Sequence, residues 1–267
     1  MTDPFQDVDS TDSEFVAIVV AALESRAAED HMIPIVEQYL DRLNWLDGAT
    51  HIEVGAGTGP IARRMAARAN SGRIIAIDPS EKLIVSAREL ADDLSNIEFE
   101  VGDGSALRFA AGSIDSVVMH TVLSHVPEPK ILLIEAMRVL KAGGKLVICD
   151  ADFEKSFLGN FEGDPLNACA KYFVQNFVTQ PYLISNIRRI ATSVGFKIDE
   201  FRVDSRTITD TDGGLGWIKM GTKQMVERGL IGEELADALA SEYIRRKEDG
   251  VLYGHQPFGT LVATKPE

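Results

Sequence analysis

Cysteine is scarce in this chain, at 2 of 267 residues. Two cysteines cannot build a disulfide framework, and Cys149 and Cys169 stand too far apart for the short spacing of paired metal ligands, so no metal site is expected. No secretory leader is visible, and a reduced, cytoplasmic protein is the simplest expectation. Positive charge is short as well. Lys and Arg number 27 against 41 Asp and Glu, for a net charge of −14. Such a surface repels phosphate backbones and anionic lipid, which argues against nucleic-acid and membrane partners. Long apolar runs are missing too. The longest early one, Phe15 to Leu23, falls far short of the roughly 20 residues that a membrane span needs.

What is present has the make-up of an ordinary globular protein, with 45% hydrophobic and 25% charged residues. The length suits one α/β unit with an elaborated cap. Residues 1–14 carry Asp3, Asp7, Asp9, Asp12 and Glu14 and almost no large apolar side chains, which predicts a disordered acidic tail. Residues 15–267 read as a single domain, with cap elements at 15–46, 153–181 and 208–250. Pro34 is expected to separate two helices in the first of these, or to open the second.

Short apolar runs at 50–54, 73–77, 97–101, 114–120 and 144–149 predict buried strands, with helix-period segments between them. Regular alternation of this kind implies parallel strands with helices on both faces, a doubly wound sheet. Further on, a helix is predicted over 183–194, a strand over 196–206 and a closing strand over 251–264. Within the cap, Leu235, Leu239 and Tyr243 are spaced to share one helix face.

The densest chemical signal is His51-Ile52-Glu53-Val54-Gly55-Ala56-Gly57-Thr58-Gly59-Pro60, a strand running into a glycine-rich turn that opens a helix. Glycines at 55, 57 and 59 remove Cβ atoms where a ligand can approach the backbone, and the helix start behind them offers unpaired N–H groups. The dinucleotide pattern G-x-G-x-x-G/A would require a small third residue at position 60, where this chain has proline. Asp78, with Pro79 after it, ends the next strand and is placed to accept both hydrogen bonds of a ribose diol; capping the following helix is the plainer role. Asp103-Gly104-Ser105 follows the third strand, where an acid can accept the exocyclic amine of adenine; a simple Asp-Gly turn is the alternative. A fourth block runs from His120 through the helix before Gly143-Gly144.

Together, these ordered blocks resemble the class I S-adenosylmethionine-dependent methyltransferases, in particular the methyltransferase type 11 group with its ubiquinone/menaquinone-biosynthesis and natural-product enzymes. The resemblance covers about residues 45–150. It implies a Rossmann-like, mostly parallel seven-stranded sheet whose last strand is antiparallel, with helical cap insertions. It further implies that Gly55, Ala56, Gly57 and Gly59 contact the methionine part of S-adenosylmethionine, with Glu53 orienting the turn or the ammonium. Asp78 and Pro79 would serve the ribose, Asp103, Gly104 and Ser105 the adenine, and His120 would lie near the sulfur.

The acceptor implied is a small molecule, with a lean toward an aromatic or apolar one. His125 and Asp150 are the candidate catalytic bases, and Tyr172, Trp217 and His255 are candidates to meet substrate from the cap. Hydrogen bonding, capping and core packing are the plainer readings of these five. Two rivals remain open: a nicotinamide-dependent oxidoreductase on a related sheet, and a non-catalytic protein that binds the cofactor. A nucleic-acid methyltransferase fits the charge poorly, and the Asn/Asp-Pro-Pro-aromatic tetrad is absent after the fourth strand, where His120-Thr121-Val122-Leu123 stands.

Overall fold

The computed structural model describes residues 3–69, 71–91 and 93–267. Five parallel strands form its centre: β1 (Thr50–Val54), β2 (Arg73–Asp78), β3 (Ile97–Val101), β4 (Ile114–His120) and β5 (Leu140–Ala151). Four match the predicted runs to within a residue, because a strand buried on both faces reads as unbroken apolar sequence, although edge strand β3 buries only Phe99; β5 extends the predicted 144–149 at both ends. In β2, Ile74 and Ala76 face one apolar layer while Ile75 and Ile77 face the other.

The first layer is covered by α2 (Met32–Leu40), α3 (Pro60–Arg68) and α4 (Glu81–Leu90). The second is covered by α5 (Pro129–Val139) and α7 (Leu183–Val194). Two late strands, β7 (Lys197–Ile208) and β8 (Gly254–Thr264), complete one end, with β8 antiparallel to both β5 and β7. The predicted strand over 251–264 thus begins at Gly254.

Among the described residues the sheet has eight strands, not seven, in the order β3-β2-β1-β4-β5-β8-β6, with β7 also on β8. The additional strand is β6, Phe157–Leu158, which pairs with Gly254 and His255 of β8. Two residues are too few to carry a period, so the sequence holds no sign of it.

The segments predicted to form a cap hold, besides α2, the helices α1 (Ser13–Ala28), α6 (Pro165–Phe177), α8 (Leu215–Glu227) and α9 (Glu233–Glu248). Pro34 falls in the first turn of α2, where its missing N–H removes no helical bond. In α9, Leu239 and Tyr243 are buried but Leu235 is 49% exposed, so the predicted apolar face is shorter than its spacing implied. No helix among the described residues is long and apolar enough to cross a membrane.

The acidic segment before residue 15 differs from the predicted tail. Residues Pro4–Gln6 and Val8–Ser10 form two single-turn helices, and Val8 and Asp3 are buried. The charges themselves hold this segment down. Asp9 caps the start of α4, accepting from Ser80 Oγ at 2.6 Å, Glu81 N at 2.8 Å and Lys82 N at 3.2 Å.

Candidate functional site

The strand order reverses between β1 and β4, and crevices at such switch points open at the carboxyl ends of the strands. The glycine turn lies there. Gly55, Gly57 and Gly59 have φ of 71°, 56° and 77°, a region that costs other residues energy. Gly55 N and Ala56 N donate to Ile77 O at 2.7 and 3.0 Å, which ties the turn to the neighbouring strand. A Cβ at Gly55 would stand 2.4 Å from Val122 Cγ2, so the turn and the segment after β4 meet directly.

Asp78, at the end of β2, is buried beside this turn. Its Oδ2 accepts from Gly57 N at 2.8 Å and its Oδ1 from Ser80 N at 2.9 Å. Burial pushes its pKa up, against the pull of those two bonds. The sequence offered ribose binding or helix capping; the contacts present are with the glycine turn and the start of α4, whose cap is Ser80. Pro79 is exposed between the two. Glu53 is buried on β1, one of its carboxylate oxygens (Oε2) has no hydrogen-bond partner, and burial drives its pKa well above the ordinary value.

Asp103 is exposed, and its carboxylate accepts from Ser105 N at 2.8 Å and Ser105 Oγ at 2.7 Å. That is the turn geometry weighed against an adenine contact. Gly104 is buried against β1, where a Cβ would lie 2.3 Å from Val54 Cγ1. The loop is nonetheless tied to the same edge, since Gly102 N donates to Asp78 O at 3.0 Å.

His120 closes β4 and is buried, with Nδ1 3.2 Å from Tyr39 Oη. Burial, with the charges of Arg26 and Arg64 nearby, lowers its pKa to about 3, so the ring is neutral at ordinary pH. The next residue, Thr121, has φ of 55°. Positive φ in a β-branched residue is strained, and such residues concentrate at functional sites.

The candidate bases are both tied up. His125 Nδ1 lies 2.8 Å from Asp3 Oδ2, and its ring sits 4.7 Å from Phe5 and 6.0 Å from Phe153. Asp150 is fully buried; its Oδ2 accepts from Ser124 N at 3.1 Å and its Oδ1 from Ala151 N at 2.9 Å. Burial raises its pKa, and these bonds make it a tie between β5 and the loop after β4. The three cap candidates lie among other packing. The Tyr172 ring faces Arg228, Trp217 stacks on Phe173 at 6.1 Å, and His255 lies on β8 with its ring 5.9 Å from that of Phe157.

Several residues at this edge had no sequence signal. Helix α1 crosses the glycine turn: a Cβ at Gly57 would stand 2.9 Å from Leu23 Cδ1, and Thr58 Oγ1 donates to Glu24 Oε1 at 2.6 Å. From the same helix, Arg26 Nη2 donates to Thr121 Oγ1 at 2.8 Å. Arg206 of β7 is buried and bonds Glu29 through two nitrogens, at 2.6 and 2.7 Å. These pairs join residues far apart in the chain, so no local period betrays them.

Comparison with known proteins agrees with this geometry. Residues 52–148 match the family model described as a methyltransferase domain. The chain is 30% identical over 180 residues to an uncharacterised transposon protein of Streptomyces fradiae, covering 67% of this chain and 52% of that one. It is 38% identical over 104 residues to the demethylmenaquinone methyltransferase of Clavibacter sepedonicus, covering 39% of this chain and 41% of the relative. It thus spans about half the length of the curated relatives it matches, or less. Among solved structures, a phosphoethanolamine N-methyltransferase from Haemonchus contortus, in complex with phosphomonomethylethanolamine and S-adenosylhomocysteine, aligns with a TM-score of 0.61. Identity there is 18%, over 99% of this chain and 60% of that one. A Bacillus halodurans protein described as a methyltransferase aligns at 0.59, with 20% identity, over 86% of this chain and 98% of that one. These likenesses show the Rossmann-like fold.

Proposed function

We propose, for a chain whose residues 52–148 belong to the methyltransferase-domain family, that it transfers the methyl group of S-adenosylmethionine to a small-molecule acceptor. One juxtaposition carries the reading: a glycine turn that leaves no room for side chains is bonded directly to a buried carboxylate, Asp78, at the strand-order switch point. The residues fit the cofactor. The positive φ of Gly55 and Gly57 folds the turn tightly beneath Val122 and Leu23, and the unpartnered oxygen of Glu53 suits a cationic ligand. Asp78 retains lone pairs for ribose hydroxyls, and the Asp103–Ser105 loop borders the same edge.

The cofactor supplies an electrophilic methyl group on a good leaving group. The chain's task is to align the acceptor with that methyl and keep water out. Helix α1 covers the turn from outside, and residues 3–12 bond the start of α4 and His125. Where the acceptor is a hydroxyl or an ammonium, a base speeds the reaction by about 10²–10⁴-fold. His125 is the candidate, because Asp3 fixes one ring nitrogen and leaves the other for a proton. Asp150 serves by holding the loop that carries His125. The rings of Phe5 and Phe153 beside His125 support an aromatic or apolar acceptor, as does the likeness to a demethylmenaquinone methyltransferase.

Thermal shift and calorimetry test the reading. S-adenosylhomocysteine is expected to bind and raise the melting temperature, and NAD to do neither; the reverse result would establish the oxidoreductase rival. Transfer of labelled methyl to a panel of aromatic acceptors then separates an enzyme from a binding protein.

A further inference from the structure

We propose that Arg26 is the clamp for the α-carboxylate of the bound cofactor, held ready at the carboxyl end of β4 by its hydrogen bond to Thr121. The inference deepens the methyl-transfer reading and rests on it. Charge pairing at this edge singles Arg26 out. Arg63 ends on Glu24, Arg64 on Glu37 and Arg206 on Glu29. Arg26 instead meets a neutral partner, Thr121 Oγ1 at 2.8 Å, and has no carboxylate within ion-pair distance among the described residues. A guanidinium presents five donors in a planar fork that matches a carboxylate.

Position adds to this. On the same helix, Leu23 packs over Gly57 and Glu24 accepts from Thr58, so α1 lies across the turn assigned to the cofactor's amino-acid end. Burial and the charge of Arg206 lower the pKa of Arg26, and the charges of Asp150 and Glu29, neither within ion-pair distance of it, offset that only in part. Thr121 supplies an independent sign. Its φ of 55° is a strained conformation for threonine, and it places the hydroxyl that Arg26 uses.

The test compares two ligands by calorimetry. S-adenosylhomocysteine carries the carboxylate; 5′-methylthioadenosine keeps the adenosine and sulfur but lacks the amino-acid end. Arg26→Gln is expected to weaken S-adenosylhomocysteine roughly 10- to 100-fold and leave 5′-methylthioadenosine unchanged. Arg26→Lys, which keeps the charge but loses the fork, should fall between. Unchanged affinity for S-adenosylhomocysteine in Arg26→Gln, or a parallel loss for both ligands, would overturn the clamp alone. A wild-type protein that binds neither ligand would overturn the methyl-transfer reading and the clamp with it.

Discussion

Two glycines with the same backbone angle allow the packing of the turn to be weighed apart from its conformation. Gly48 and Gly55 both have φ of 71°. A Cβ on Gly48 would meet nothing within 4 Å, whereas one on Gly55 would stand 2.4 and 2.8 Å from the two γ-carbons of Val122. Val122 packs against the apolar layer under α5 and α7, so it cannot simply swing away. Gly48→Ala therefore pays only the left-handed conformation, about 1–2 kcal/mol. Gly55→Ala adds an overpacking cost of about 1–3 kcal/mol, for a total of about 2–5 kcal/mol. Urea unfolding of both variants against wild type measures the difference, provided the slopes agree. Equal losses in the two variants would refute the claim that the turn is closed by Val122. The Gly55 variant should also lose affinity for S-adenosylhomocysteine, and the Gly48 variant should not.

Asp78→Ala leaves the N–H groups of Gly57 and Ser80 without their acceptor. It should cost about 1–3 kcal/mol in stability by urea unfolding and weaken S-adenosylhomocysteine in calorimetry. At the opposite end of the strands, His51 is buried with Nδ1 2.6 Å from Ser116 Oγ, and burial lowers its pKa to about 4. An unfolded chain takes up this proton near pH 6.5 and the folded one only near pH 4, so stability falls as pH drops through that window. Between neutral pH and about pH 5 the wild type should lose about 2 kcal/mol more than His51→Gln; identical pH profiles would remove this role. Arg206→Ala strands Glu29 in a largely buried place and should cost about 3–5 kcal/mol in urea, whereas a surface pair such as Arg245 with Glu242 should cost under about 1 kcal/mol.

The central sheet was legible in the sequence because burial on both faces leaves continuous apolar runs. The helix over Leu183–Val194, ending at Gly195, was equally plain from its period. The glycine turn and Asp78 could be named as neighbours because strand alternation puts their ends at one edge. What escaped depended on polar pairs between distant residues. Five acidic residues before position 15 predict solvation by composition, yet Asp3 reaches His125 across 122 positions and Asp9 caps α4. Arg26 and Thr121, 95 positions apart, look unremarkable in sequence, since only the fold gives them each other.

The pairing of Glu29 with Arg206 spans 177 positions, and Ile35 and Arg42 likewise meet Arg202 and Glu200. During synthesis, then, residues 29–42 are made well before the seventh strand and must wait for it before they can settle. The central β1–β5 unit needs no such delay. Docking of residues 29–42 is therefore a late event, and damage to β7 should be felt among them.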